Sequence, residues 1–196
     1  MSDKPLTQQR LARDLADLVT VLKGHENFLG FVDAFWKTMA REWSGIDALR
    51  MDKFLYLVRC YVGKGLEVVS AKHWGDGDLM EKYLAVLEET PLHPRDVKVP
   101  NGLRFHVVDI YVDELDKVDE ERTAPLETLL APIKKLGAET ITKPVRTRVK
   151  EALQDERLQD WQGLREEEGS GSGGDEDGDE AMGGAGSDEE FGGFDD

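Results

Sequence analysis

The sequence predicts an all-α protein, built either as an antiparallel helical array of the HEAT type or as an irregular bundle. Apolar residues recur at the helical period over most of residues 5–162, and Pro and Gly interrupt that period between segments. Successive helices joined by short turns pack as antiparallel neighbours. The seven predicted helices span residues 5–22, 26–43, 47–72, 78–90, 102–119, 124–136 and 142–162.

The helices on either side of Ser44-Gly45 carry the strongest apolar faces. Before this break, the large apolar side chains fall within an arc of about 120° on the helical wheel. They are Phe28, Phe31, Phe35, Met39 and Trp43. After the break, apolar residues between Met51 and Val69 cover about half of the next helix, which favours burial between neighbours. We interpret both faces as packed core rather than as a ligand pocket.

Residues 103–112 are rich in β-branched and aromatic types, which favours a strand. The alternation of a strand fails after Val107, however, and a helical wheel gathers the apolar residues on one broad face. Those residues are Leu103, Val107, Ile110, Tyr111 and Leu115. We therefore predict a buried helix here.

Helix starts are predicted from residue types that cap a first turn. Asp47, Asn101, Thr123 and Thr142 are candidate N-caps, because short polar side chains accept a hydrogen bond from the first turn. Pro residues close behind Thr123 and Thr142 fit the first turn, where a missing N–H costs least.

The charge of the chain divides it into two regions. The net charge is −16, and residues 166–196 hold 13 acidic residues with no Lys or Arg. Residues 1–165 are therefore predicted to be the helical scaffold domain. Residues 166–196 are predicted to be a disordered acidic tail rich in Gly and Ser. The single cysteine, Cys60, excludes an internal disulfide, and no apolar run suits a membrane span or a secretory signal.

Three blocks of sequence resemble the ribosomal RNA processing protein 1 family. They are MSDKPLTQQRLARDLADL at 1–18, FWKTMAREWSGIDALRMDKFLYLVR at 35–59 and PNGLRFHVVDIYVDELDKV at 100–118. The resemblance extends over most of residues 1–160 and also favours the array among the two architectures. It implies a nucleolar protein that acts in pre-rRNA processing on precursors of the large (60S) ribosomal subunit, without being a nuclease.

One departure from that family concerns the start of the chain. Family members usually carry a further helical segment, ending in a Trp-rich stretch, ahead of the MSDKP block. Its absence here leads us to expect an exposed apolar face on the first helix. Leu11, Leu15, Leu18 and Leu22 would form that face.

Basic residues concentrate in residues 134–150, which contain six Lys or Arg residues and one acidic residue, Glu139. On the last predicted helix several of them share one face beside an apolar strip. Such a stripe can neutralise RNA phosphates without reading sequence, although a solvated helix face is an equally good interpretation. The candidate phosphate contacts are Lys134, Lys135, Lys143, Arg146, Arg148, Lys150 and Arg157.

Two further segments are candidates for protein contacts. The Pro-rich loop at 91–101 is predicted to be ordered, and it either binds a partner or simply joins two helix pairs. In the acidic tail, Ser172 and Ser187 have acidic residues three positions on, a spacing that acidophilic kinases favour. The tail is interpreted either as a segment that contacts basic proteins or as a solubilising extension.

Catalysis has little support in the sequence. The four histidines show no metal-binding spacing, and nucleotide-binding glycine motifs are absent. The best alternative is His106 with Asp109 and Asp113 on one helix face, where a carboxylate could orient the imidazole; a polar surface explains it better. We expect no enzymatic activity, no cofactor, no metal and no small-molecule substrate.

Two functions from different classes remain open. The resemblance implies a scaffold for the pre-60S particle, with other assembly factors, ribosomal proteins and possibly rRNA as partners. The alternative is an acidic helical adaptor or chaperone for basic proteins that makes no direct rRNA contact. Neither function calls for a membrane.

Overall fold

The computed structural model describes residues 4–161, and this range is helical without a β-strand. Nine α-helices lie in it: α1 Pro5–Val21, α2 His25–Glu42, α3 Met51–Ser70, α4 Gly77–Glu89, α5 Asn101–Val118, α6 Leu126–Leu129, α7 Ala131–Glu139, α8 Lys143–Leu153 and α9 Glu156–Trp161. A 3₁₀ turn, Trp43–Gly45, follows α2. The all-α class is confirmed. None of these helices is both long and apolar enough to cross a membrane.

The helices form two layers. In the first layer α1 packs on α3, α3 on α5, and α5 on α8. In the second layer α2 packs on α4, and α4 on α7. Each layer therefore receives roughly every second helix of the chain, which is the arrangement of a HEAT-type array rather than of an irregular bundle.

The ends of the helices meet at two edges of the array. At one edge, Lys37 near the end of α2 lies 3.4 Å from Glu89 at the end of α4. Lys135 on α7 lies 2.6 Å from Glu88 at the same end of α4. The loops that follow α2, α4 and α7, residues 43–50, 90–100 and 140–142, therefore share this edge, which we call the loop edge.

The aromatic face predicted on α2 lies in the core, as expected. Phe28, Met39 and Trp43 are buried, together with Trp36. Phe35 is half-buried and stacks on Tyr61 of α3, with ring centroids 3.5 Å apart. These contacts tie the two layers together, so the aromatic residues of this face form part of the packed core.

Tyr83 of α4 is fully buried beside Gly65 of α3. A Cβ placed on Gly65 would lie 2.3 Å from the Tyr83 hydroxyl, so glycine is required for this close approach of the two helices. The Tyr83 hydroxyl finds no hydrogen-bond partner among the described residues. Burial raises the pKa of Tyr83 well above its usual value.

The Pro-rich loop 91–100 is ordered, as the sequence predicts, and a buried arginine holds it. The Arg104 guanidinium donates hydrogen bonds to the backbone carbonyls of His93, Asp96 and Val99. Three loop carbonyls thus converge on one cation of α5. Burial lowers the pKa of Arg104, because these dipoles replace only part of its hydration.

Asp119, which follows α5, plays the equivalent part at the opposite edge. Its carboxylate accepts hydrogen bonds from the indole nitrogens of Trp74 at 3.2 Å and Trp161 at 2.6 Å. It also accepts from the Thr123 hydroxyl at 3.0 Å and the Ala124 amide at 2.8 Å. Burial alone raises the pKa of Asp119, but these four hydrogen bonds outweigh it and lower the pKa.

Several helix boundaries differ from the predicted ones. The predicted helix 124–136 is two helices, because Pro132 starts a new one as α7. The predicted helix 142–162 ends at Leu153 and restarts as α9. There the Asp155 carboxylate accepts a hydrogen bond from the Arg157 amide.

The predicted N-caps are mostly wrong. The Asp47 side chain accepts from the Leu49 amide in a turn, and α3 begins only at Met51. Proline precedes α5 and α6, and Thr142 precedes α8 without a side-chain cap bond. Side-chain caps that the sequence did not suggest are Asp76, which accepts from the α4 backbone at 3.2 Å, and Asp155 at the start of α9.

The first helix has the predicted exposed apolar face at Leu11, Leu15 and Leu18, whereas Leu22 follows the end of α1 and is half-buried. Ala12 and Ala16 face the array, whereas Leu11 is 57% and Leu18 is 43% exposed. Small residues thus pack on α3, and larger leucines lie at the free end of the array. The acidic segment 166–196, including both candidate phosphorylation sites, lies outside the described residues.

Candidate nucleic-acid interface

The seven cations proposed as phosphate contacts do not form one continuous surface. They occupy α7, α8 and α9, and the structure divides them by whether a carboxylate already neutralises them. The first group has carboxylate partners inside the domain, and the second has no carboxylate partner among residues 4–161.

Two cations of the first group lie on α7. The Lys134 amine donates to Glu127 at 2.7 Å, and the Lys135 amine donates to Glu88 at 2.6 Å. The hydrogen bond that Lys135 donates to Glu88 raises the pKa of Lys135, as expected for an ammonium held beside a carboxylate. Each pair carries no net charge, so α7 offers little attraction to a phosphate.

Arg148 also has an internal partner. Its guanidinium pairs with Asp109 of α5 and lies 5.5 Å from the centre of the Phe105 ring. The side chain is about half exposed, but it bridges α8 to α5 and is already paired with a carboxylate. Asp109 also raises the pKa of Arg148.

Arg157 is the most heavily neutralised cation of the set. It lies on α9, so it does not share a helix face with the α8 residues as predicted. Its guanidinium contacts Asp155 at 2.7 Å, Asp113 at 2.8 Å and Asp116 at 3.5 Å. The hydrogen bonds that Arg157 donates to Asp155 and Asp113 raise its pKa. The ion pairs of Arg157 with Asp113 and Asp116 join α9 to α5.

Three cations remain on α8, and we call them the α8 basic face: Lys143, Arg146 and Lys150. All three are exposed. Within residues 4–161 no carboxylate lies within ion-pair distance of them, and Arg146 donates only to a backbone carbonyl, that of Thr140, at 2.9 Å. Their positions fall within about 60° on the helical wheel and span roughly 10 Å along the axis.

The opposite side of α8 explains why this face points outward. Val145 and Val149 are buried, and they pack toward α7 and α5. A Cβ on Gly137 of α7 would lie 2.6 Å from Val149, so glycine allows the two helices to approach closely. The buried valines fix the rotation of α8 and thereby the direction of the basic face.

The histidine and the two carboxylates considered for catalysis have structural partners. His106 is half-buried, and its Nε2 lies 2.7 Å from the Leu55 carbonyl oxygen; burial lowers the pKa of this histidine. Asp109 pairs with Arg148, as described above. Asp113 accepts from Arg59 at 2.7 Å as well as from the α9 arginine. These groups join helices α3, α5 and α8. Among the described residues no cluster of His, Cys, Asp and Glu could hold a metal ion.

The fold and this face together define a two-layer helical array with a small, unneutralised cationic surface on one of its last helices. Residues 1–190 match the family described as nucleolar protein Nop52. The chain belongs to the Nop52 family of nucleolar proteins. This membership confirms the nucleolar localisation that the sequence predicts.

Curated relatives agree with this assignment. The human ribosomal RNA processing protein 1 homolog A is 37% identical over 142 residues, which cover 71% of this chain and 30% of the relative. The Caenorhabditis elegans ribosomal RNA processing protein 1 homolog is 31% identical over 154 residues, covering 78% of this chain and 38% of the relative. The family resemblance is thereby confirmed. The matched region spans well under half the length of these relatives.

Proposed function

We propose that this chain is a non-enzymatic ribosome biogenesis factor that acts in nucleolar pre-rRNA processing and assembly of the large (60S) subunit. The match of residues 1–190 to a nucleolar family carries the proposal. The relatives' names, which specify ribosomal RNA processing, give it its direction. The chain would serve as a helical scaffold that holds assembly factors, ribosomal proteins and precursor rRNA together.

The architecture suits a scaffold because an array offers extended surfaces at both edges and on both layers. Its internal charges are largely paired, and buried groups such as Arg104 and Asp119 tie the loops down at each edge. Rigid loops present their side chains in fixed positions, which reduces the entropy lost when a partner binds.

The α8 basic face supports direct contact with rRNA. Lys143, Arg146 and Lys150 can each meet a phosphate, which would give affinity that depends on salt and not on base sequence. Exposed aromatic platforms for base stacking are not part of this face. We therefore propose a modest contact with the rRNA backbone that adds to protein contacts within the pre-60S particle.

Affinity purification of the tagged chain from nucleolar extract tests the proposal. Co-purification of large-subunit precursor rRNAs with their assembly factors is the expected result. Loss of the proteins after ribonuclease treatment would show that RNA bridges the attachment, and their retention would show protein contacts. Recovery of neither precursor rRNA nor assembly factors would contradict the proposed function.

The acidic composition favours a second candidate, an adaptor or chaperone for basic proteins. It rests on the net charge of −16 and on the 13 acidic residues of segment 166–196. In this case the purification would recover free basic proteins without precursor rRNA. Phosphorylation of Ser172 and Ser187 would add negative charge to the segment and strengthen such binding.

A further inference from the structure

The loop edge exposes one aliphatic side chain on each of its three neighbouring loops. Leu49 lies on the loop after α2 and is 88% exposed, and Val97 lies on the loop after α4 and is 96% exposed. Ile141 lies on the loop after α7 and is 84% exposed. Single exposed aliphatic residues are ordinary. Their recurrence at the equivalent place on three neighbouring loops forms a line of apolar tips.

A cation follows each apolar tip closely in the sequence. Arg50, Lys98 and Lys143 stand one, one and two residues after the respective tips. All three are exposed, and no carboxylate within residues 4–161 lies at ion-pair distance from them. The loop edge thus repeats a pair of side chains, one apolar and one positively charged, three times.

The acidic residues near this edge do not cancel these cations. Glu88 pairs with Lys135, and Glu89 shares Lys37 with Asp33, so neither glutamate is paired with a loop-edge cation. Asp96 directs its carboxylate to the backbone amide two residues on. Asp47 likewise accepts from the backbone amide two residues on. Residues 43–50, 90–100 and 140–143 together hold four Lys or Arg and two Asp residues, so these loops carry an excess of positive charge in a chain whose net charge is negative.

Hollows lie between the loops. One of about 600 Å³ separates the end of α2 from the loop after α4, and its lining includes Ala40 and Val99. Another of about 440 Å³ lies between that loop and the end of α7, and its lining includes Ala85 and Pro94. The edge is therefore ridged, with apolar tips on the ridges and room for side chains between them.

We propose that the loop edge binds an extended segment of a partner protein in which acidic residues separate regularly spaced aliphatic residues. Packed helices lie roughly 10 Å apart, so neighbouring tips are separated by a similar distance. A peptide in the extended polyproline II conformation advances about 3.1 Å per residue with three residues per turn, so every third side chain faces the same side and one aliphatic residue in every three matches the tips. The acidic residues between them meet the cations. This surface shares Lys143 with the α8 basic face, but its ligand is a peptide and not rRNA, and Leu49, Val97 and Lys98 belong to the loop edge alone.

The chemistry of the tips favours protein over RNA as the ligand. Single-stranded RNA is held by aromatic side chains that stack on bases, together with cations for the backbone. Aliphatic tips gain most when apolar side chains cover them. The pairing of aliphatic and cationic groups therefore fits a peptide that is both acidic and apolar.

A fluorescence anisotropy titration of the full 196-residue chain tests this inference with two labelled heptapeptides of identical composition. In the spaced peptide, LDELDEL, leucines occupy positions 1, 4 and 7; in the clustered peptide, LLLDEDE, they are adjacent. The spaced peptide is expected to bind about tenfold more tightly or better, because it reaches several tips at once. Equal affinity for the two peptides, or binding of neither, would overturn the proposal.

Matched variants separate the apolar and the ionic contributions. Val97→Ser is expected to weaken binding of the spaced peptide about tenfold, because the bound peptide would otherwise cover the valine side chain. Leu6→Ser, an equally exposed position on α1, should leave binding unchanged. Lys98→Glu should weaken binding more at low salt than at high salt, whereas Lys23→Glu on the opposite edge alters the net charge equally without effect.

A titration with single-stranded RNA tests whether the loop edge binds nucleic acid instead of a peptide. RNA binding that Lys98→Glu weakens and Val97→Ser leaves unchanged, with no preference for the spaced peptide, would assign the edge to nucleic acid. Because all these side chains are exposed, their substitution leaves the core intact. A far-UV circular dichroism spectrum of each variant checks this.

Discussion

Replacing Asp119 with asparagine should destabilise the domain by about 3 kcal/mol. An asparagine keeps one acceptor oxygen, which can still serve Trp74 and Thr123. The amide nitrogen that replaces the second oxygen turns its own donors toward the Ala124 amide and the Trp161 indole. Two donors then lose their acceptor, and a buried donor without a partner costs about 1–3 kcal/mol.

Urea denaturation at pH 7, followed by circular dichroism at 222 nm, measures this loss. For a domain of this size, about 3 kcal/mol corresponds to a fall in Tm of about 9 °C. Asp78→Asn is the matched control, because Asp78 forms an exposed ion pair with Lys82 and its loss should cost under about 1 kcal/mol. An Asp119→Asn variant as stable as this control would refute the reasoning.

The pH dependence gives the same substitution a second readout. The folded-state pKa of Asp119 is lowered, so its contribution is present above the unfolded pKa of about 4 and is lost as pH falls through the folded value. The stability difference between wild type and Asp119→Asn should therefore narrow below pH 4. A difference that stays constant from pH 7 to pH 3 would contradict the lowered pKa.

Three further substitutions test the packing. Arg104→Met should lower the free energy of unfolding by about 3 kcal/mol and speed amide hydrogen exchange in residues 91–100, because three loop carbonyls lose their donor. Unchanged exchange in this loop would contradict the role given to Arg104. Tyr83→Phe should stabilise the domain by about 1 kcal/mol in urea denaturation, since its hydroxyl is buried without a partner; a loss would reveal a missed contact. Gly65→Ala should lower the free energy of unfolding by about 2 kcal/mol or more, because the new methyl group meets the Tyr83 ring; a neutral result would disprove the close packing.

The long helices could be predicted from the sequence because their apolar periodicity is strong. The aromatic face of α2 and the buried face of α5 each repeat over several turns, and burial follows that repeat. The breaks at Leu130 and Leu153 escaped prediction because a single turn changes the period very little. The caps escaped prediction because most of the described helices begin without a side-chain cap bond, and Pro100 and Pro125 precede α5 and α6.

The basic stripe shows the limit of sequence reasoning about sites. Arg148 and Asp109 are 39 residues apart in the chain, and Lys135 and Glu88 are 47 apart. Such pairs form only when α5 packs on α8 and α4 packs on α7. The spacing of residues along the sequence therefore does not predict them. Sequence alone therefore overstates the charge available to RNA.

The loop edge was missed for a related reason. Leu49, Val97 and Ile141 lie more than 40 residues apart, and each alone is an unremarkable loop residue. Only the alternation of helices between two layers brings the three loops to one edge. A regular spacing of exposed aliphatic residues between predicted helices was the available signal.

The salt dependence of RNA binding tests the central claim most directly. If the α8 basic face meets three phosphates of single-stranded precursor rRNA, log Kobs should fall with log salt at a slope of about −2. Lys143→Gln with Lys150→Gln should reduce that slope to about −0.7, since one contact then remains. Lys134→Gln with Lys135→Gln, an equal change in net charge at neutralised sites, should leave it near −2. Equal slopes for both double variants would contradict direct rRNA contact through α8.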